Sequence, residues 1–125
     1  MNKLVLLFSH TLTKVQKKDA YESLNVKKII SLPQNLQHIW SNIPEDNKNI
    51  EMLFMNYIKE NASIGDYILI EGEYGIVYKM VKWSIENNYI PVYSYTKRQY
   101  KSITLEDGTI ENRHYFKHIK FKEYK

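Results

Sequence analysis

Three short apolar runs constrain this chain more than any other feature, because each stops abruptly in a polar or glycine-containing segment. Leu4 to Phe8 runs into Ser9, His10 and Thr11. Tyr67 to Ile70 runs into Glu71, Gly72, Glu73, Tyr74 and Gly75, and Ile90 to Tyr95 runs into Thr96, Lys97 and Arg98. Runs of four to six branched or aromatic residues separated by amphipathic stretches read as buried parallel strands. In open α/β sheets, ligands sit at the carboxyl ends of such strands. The three segments are therefore expected to be turns that converge on one site. A hydroxyl and imidazole cluster, a Gly-x-x-Gly loop and a paired cation suit a phosphorylated ligand better than an apolar one.

The alternation predicts a βαβα order. A strand over about Lys3 to Phe8 leads to Thr13 and Gln16, a capping-box pair that opens a helix to about Leu24 with Val15, Ala20 and Leu24 inward. Val26 to Leu32 is a second strand, broken by Pro33. Leu36, Ile39, Trp40 and Ile43 mark a short helix that ends before Pro44. Asp46 or Asn47 caps the next helix, whose Ile50, Leu53, Phe54, Tyr57 and Ile58 form a stripe. After the third strand a helix buries Val77, Met80, Val81 and Ile85, and Pro91 near the start of strand four is tolerated there. Asp107-Gly108 is a hairpin signal joining strands near Tyr100 to Leu105 and Thr109 to Phe121. The expected fold class is α/β: one domain over residues 1–125, with a mainly parallel, doubly wound core over 1–96 and a basic antiparallel β-hairpin extension over 97–125.

Bulk properties narrow the chemistry. At 125 residues the chain is expected to be one domain, large enough to bury a core. It has no cysteine, which excludes a disulfide frame, a thiolate metal site and a cysteine nucleophile. A hydrophobic run of only five residues near the amino terminus is too short for a signal peptide or membrane span, so a cytoplasmic protein without membrane contact is expected. Residues 1–96 carry 10 basic and 10 acidic side chains, whereas 97–125 carry 8 and 4, so the net charge of +4 lies in the tail. Such a tail is a solvated surface or one that faces an anion.

Each candidate residue has a plain structural use beside a functional one. His10, at a strand end, is placed to act as a general base, or it packs on an aromatic ring while Ser9 and Thr11 cap the turn. Gly72, Glu73, Tyr74 and Gly75 join a strand to a helix, where glycine lets backbone amides approach a phosphate, but the loop is neither a Walker loop nor a dinucleotide fingerprint. Glu71 and Glu73 repel phosphate unless they point away or engage a ribose hydroxyl. Thr96, Lys97 and Arg98 offer a fork and a compact charge that grip one or two neighbouring phosphates, or else form an exposed basic turn. Trp40 stacks on a base with Asn42 reading its edge, or Trp40 is core, flanked helically by Leu36 and Ile43. In the last strand, period two puts His114, Phe116, His118, Lys120 and Lys122 on one face. Two histidines at that spacing, without carboxylates, make neither a metal site nor a metal-dependent catalyst, and no cofactor is indicated.

Leu6 to Thr13, Trp40-Ser41-Asn42-Ile43-Pro44, Gly65-Asp66-Tyr67, Gly72-Glu73-Tyr74-Gly75, Thr96-Lys97-Arg98 and Phe116-Lys117-His118 together resemble the small Csx-type CRISPR-associated proteins, over nearly the whole chain. The resemblance implies a Rossmann-like sheet similar to CARF domains. It also implies a homodimer with a cyclic oligoadenylate second messenger of type III CRISPR immunity across its two-fold axis. Some members of that group are stand-alone ring nucleases, and others bind the ring without cutting it. A ring nuclease without a metal would use a ribose 2′-hydroxyl to attack the adjacent phosphate. In that scheme His10 accepts the proton, Lys97 and Arg98 stabilise the charge, and Ser9, Gly72 and Gly75 orient the phosphate. The rival expectations are a cyclic oligoadenylate sponge and a nucleic-acid-binding module that uses the basic tail; the ring readings expect no stable DNA or RNA partner.

Overall fold

Leu4, Val5 and Leu7 are wholly buried, and so are Ile68, Leu69 and Ile70. Residues buried on both sides of a strand belong at the centre of a sheet covered on both faces. The computed structural model, which describes residues 2–46 and 48–125, places them there. In chain order the elements are β1 (Lys3–Leu7), α1 (Lys14–Ser23), β2 (Lys28–Ile30), α2 (Gln34–Ser41), α3 (Glu51–Asn61), β3 (Tyr67–Ile70), α4 (Tyr74–Glu86), β4 (Ile90–Thr104) and β5 (Ile110–Glu123). The sheet order is β2-β1-β3-β4-β5, parallel through β4 and antiparallel between β4 and β5. The α/β class, the mostly parallel sheet and the carboxyl-terminal antiparallel pair are as expected. Among the described residues no helix is long and apolar enough to cross a membrane.

Two cores follow from the side-chain alternation of the strands. Val5, Leu7, Ile68 and Ile70 pack against Trp40 of α2, Phe54 and Ile58 of α3, and Ile76 and Met80 of α4. Leu4, Leu6, Leu69, Val92 and Phe121 pack on the other face against Leu12 and Ala20. The chain steps from β1 one way to β2, and from β3 the opposite way to β4. Right-handed crossovers therefore put α1 on one face and α2, α3 and α4 on the other. The connections leaving β1 and β3 diverge, which opens a crevice at the carboxyl edge between those two strands.

Local signals account for the helix ends. The Thr13 hydroxyl accepts from the Gln16 amide at 3.2 Å while Gln16 Oε1 accepts from the Thr13 amide at 2.9 Å, a complete capping box. The inward stripe of α1 differs from expectation: Val15 is exposed and Gln16 is buried, because the Gln16 side chain is held inward by the cap and by Ser94. Leu53 and Ile85 are likewise exposed, while Phe54, Ile58 and Met80 carry the burial. Helix α3 starts at Glu51, later than an Asp46 cap implies, and Asn47 lies outside the described residues.

The largest correction concerns Thr96, Lys97 and Arg98. They do not form a turn: β4 runs unbroken to Thr104, and these three residues pair with His118, Lys117 and Phe116 of β5. No glycine or proline lies between Pro91 and Asp107 to stop the strand, and β5 supplies a pairing partner for all of it. The chain reverses at Asp107-Gly108, where Gly108 has φ +85, a conformation that favours glycine, and Asp107 Oδ1 accepts from the Thr109 amide. Register shifts by one residue after Tyr95↔Lys120, leaving Ile119 unpaired as a β-bulge. The single face expected for His114 through Lys122 is therefore broken. His118 and Phe121, three apart, both turn inward with ring centroids 4.6 Å apart.

Candidate functional site

The loops that follow β1 and β3 are stitched together by one helix face. Gln37 and Trp40 lie one turn apart on α2. Gln37 Nε2 donates to the Ser9 carbonyl at 3.2 Å, and Trp40 Nε1 donates to the Glu71 carbonyl at 2.9 Å. The Glu71 amide in turn donates to the Leu7 carbonyl. Ser9 is half-buried, Thr11 is exposed, and His10 is exposed with its ring edge-on to Phe8 at 5.4 Å. Ser9, His10, Glu71 and Gly72 are thereby gathered at the carboxyl edge, as the strand-end rule anticipates.

Trp40 is 2% exposed and meets Phe54 edge-on at 4.9 Å, so its indole belongs to the core and offers no face for a base to stack on. Its effect on the loop is steric: a Cβ on Gly72 would lie 2.7 Å from Trp40 Nε1. Asn42 ends α2, and its side-chain amide donates to the His38 carbonyl. Glu73 caps α4, its Oε1 accepting from the Ile76 amide at 2.8 Å, and a Cβ on Gly75 would come within 3.2 Å of that oxygen. The amino end of α4 already holds a carboxylate, so a phosphate there has to displace Glu73. Tyr74, the first residue of α4, is 92% exposed.

Glu71 stands out electrostatically. Burial pushes its carboxyl above the ordinary value, partly offset by the Ser94 backbone amide. Tyr124 donates to the Ile70 carbonyl at 2.7 Å, and burial, with the charge of Glu71 and Tyr93 beside it, pushes its hydroxyl up to about 12. A half-buried acid with a raised pKa at a strand end is a common companion of ligand sites.

A second cluster lies on the α1 face. His118 Nε2 meets Asp19 Oδ2 at 2.7 Å, His118 Nδ1 bonds the Ser94 hydroxyl, and Gln16 Nε2 donates to that hydroxyl at 3.3 Å. Burial pushes the Asp19 carboxyl up, but hydrogen bonds from Ser23 and His118, with the charge of His118, outweigh it and hold it below its ordinary value. The residue types are those of a Ser-His-Asp triad. Both ring nitrogens are engaged and Ser94 is 7% exposed, so the chain Asp19-His118-Ser94-Gln16 locks α1 to the base of the β4/β5 ribbon. Gln16 and His118 were each singled out from sequence, but their grouping with Ser94 and Asp19 was not, because partners 24, 78 and 99 residues apart leave no local signature.

Above this chain a cavity of about 290 Å³ separates the start of α1 from the ribbon, lined by Thr13, Val15, Gln16, Thr96, Tyr115, Phe116, Lys117 and His118. Thr96 is thus brought beside the segment that follows β1. Lys97 and Arg98 are not brought together: adjacent residues of a paired strand project to opposite faces, Arg98 to the side of Thr96 and Lys97 to the other. Among the described residues no three His, Asp or Glu side chains group as a metal site.

Residues 2–122 match the family described as Uncharacterized protein MJ1673 family. The chain belongs to that family. Uncharacterized protein MJ1673 of Methanocaldococcus jannaschii is 44% identical over 127 residues, covering 99% of this chain and 98% of the relative. No solved structure matches. The match runs past Asp107-Gly108 into β5, so it takes in most of the ribbon. In this MJ1673-family chain one exposed imidazole, one raised carboxyl and a cationic ribbon border the carboxyl edge, a set able to accept a proton and to bind an anion.

Proposed function

We propose that this protein is a ring nuclease: a Rossmann-like, CARF-like, cytoplasmic homodimer that binds cyclic oligoadenylate, most simply cyclic tetra-adenylate, and opens it without a metal. The observation that carries this reading is the joining of the β1 and β3 loops by Gln37 and Trp40 at the switch point of the sheet, beside the cationic ribbon. A ribose 2′-hydroxyl attacks the adjacent phosphorus in line, and the bond from phosphorus to the 5′-oxygen breaks. The 2′-proton passes to His10, the departing 5′-oxygen takes a proton from solvent, and the product ends in a 2′,3′-cyclic phosphate. Arg98, on the face that carries Thr96, offsets the charge that grows on the phosphate.

One observation favours a second reading, sequestration without cleavage. Lys97 and Arg98 project to opposite faces, so at most one of them serves a given phosphate within one chain. Incubating the protein with labelled cyclic tetra-adenylate in excess EDTA, beside a linear RNA control, separates the readings. Linear oligoadenylate from the ring, intact RNA and a loss of about 10²-fold or more in His10→Ala are expected of the nuclease. An intact ring that stays tightly bound identifies a sponge, and salt-sensitive retention of the linear RNA identifies a general nucleic-acid binder.

A further inference from the structure

The cavity between α1 and the ribbon is separate from the β1/β3 crevice and is built differently. Its floor includes Gln16 and His118, whose polar groups are already paired with Ser94 and Asp19 behind them. Its walls are apolar: Val15 from α1 is 58% exposed and Phe116 from β5 is 72% exposed. Hydrophobic side chains this open on facing walls of one recess are an unfilled contact surface. At about 290 Å³ the recess is just below the range for small-molecule sites, roughly 300–1,000 Å³, a size that suits one flat ring system.

Charge sorts the occupants further. No carboxylate lines the recess, and Arg98 is paired directly across from Phe116 on the same side of the ribbon. An aromatic face beside a guanidinium is the arrangement that holds a base and its phosphate together. Thr13, at the cap of α1, and Thr96, from β4, add polar residues to the lining.

We propose that this recess is a nucleobase pocket in which a purine stacks on Phe116 against Val15, with its phosphate toward Arg98. That the purine is adenine rests on the cyclic oligoadenylate reading; the pocket itself rests on the geometry. Phe116 contributes nothing to the buried core, so its substitutions leave the fold intact, which a thermal melt verifies.

The test measures the dissociation constant of cyclic tetra-adenylate for the wild type, Phe116→Ala and Phe116→Tyr. Stacking predicts weakening of about ten-fold to a hundred-fold in the alanine variant and near wild-type affinity in the tyrosine variant. Equal affinity in wild type and Phe116→Ala overturns the pocket while leaving the ring reading in place. If wild type does not bind the ring at all, that reading fails, and an amide-resolved titration with adenosine monophosphate decides the pocket alone. Shifts centred on Thr13, Val15, Thr96 and Phe116 uphold it, and their absence at millimolar nucleotide overturns it. Should Phe116→Ala instead split a dimer while ring affinity is unchanged, the recess belongs to a second copy of the chain and the proposal is wrong.

Discussion

The centre of the sheet and the outer ribbon are both β-structure, yet they are held by different forces. In β1 and β3 nearly every side chain is buried between two helical layers, whereas none of residues 97–117 is buried. The centre is fixed by the removal of apolar surface from water, at roughly 25 cal/mol per Å². The ribbon is held by backbone pairing, of which each bond contributes about 0.5–1.5 kcal/mol net, and a lone two-stranded ribbon is marginal in water. The excess positive charge also lies from Lys97 onward. A rigid half therefore sets the geometry of the loops, and an adaptable half brings cations and an open aromatic ring to them.

The sharpest way to break this contrast is to truncate one aromatic ring in each half. Trp40→Ala empties a core position and leaves the Glu71 carbonyl without its donor, so unfolding free energy should fall by about 3–5 kcal/mol in urea titrations. Gly72→Ala should cost about 1–3 kcal/mol, because the added methyl meets a buried indole that has no room to retreat. A loss below about 0.5 kcal/mol would mean that the loop yields and is not set by α2.

The joint between the halves is sensitive to acid. The Asp19 carboxyl is held below its ordinary value, so its ionised form contributes stability that is fully present above about pH 4 and is lost as pH falls through the lowered folded value. Asp19→Asn should therefore melt below wild type at pH 7, and the gap should close as pH falls through the lowered folded value. A gap that stays constant with pH would remove Asp19 from the joint. The smallest effect belongs to the ribbon: Tyr100→Ala, 68% exposed, should change stability by no more than about 0.5 kcal/mol.

The same contrast explains what could be read from the amino acids. The strands over Leu4–Leu7 and Tyr67–Ile70, the Thr13-Gln16 box and the Asp107-Gly108 reversal were legible, because burial and local capping imprint themselves on neighbouring residues. The continuation of β4 through Thr96, Lys97 and Arg98 was not, since a strand open on both faces has no hydrophobic period and its partner lies across the hairpin. The bulge at Ile119 hid the inward turn of His118 for a related reason: one extra residue reverses the alternation on which a face assignment depends. Of the candidate site, the loops after β1 and β3 were visible from their position. The recess beside α1 was not, because Val15 and Phe116 meet only through the fold.

The central claim is that ligand binds where the segments after β1 and β3 meet the base of the ribbon. An amide-resolved titration of the whole chain with cyclic tetra-adenylate tests it directly. Shifts should gather at Ser9, His10, Gly72 and Thr96, with Asp66 and Asn88 at the opposite edge of the sheet unmoved. Shifts confined to the outer ribbon near Lys101 and Arg113, or no shifts at all, would contradict it.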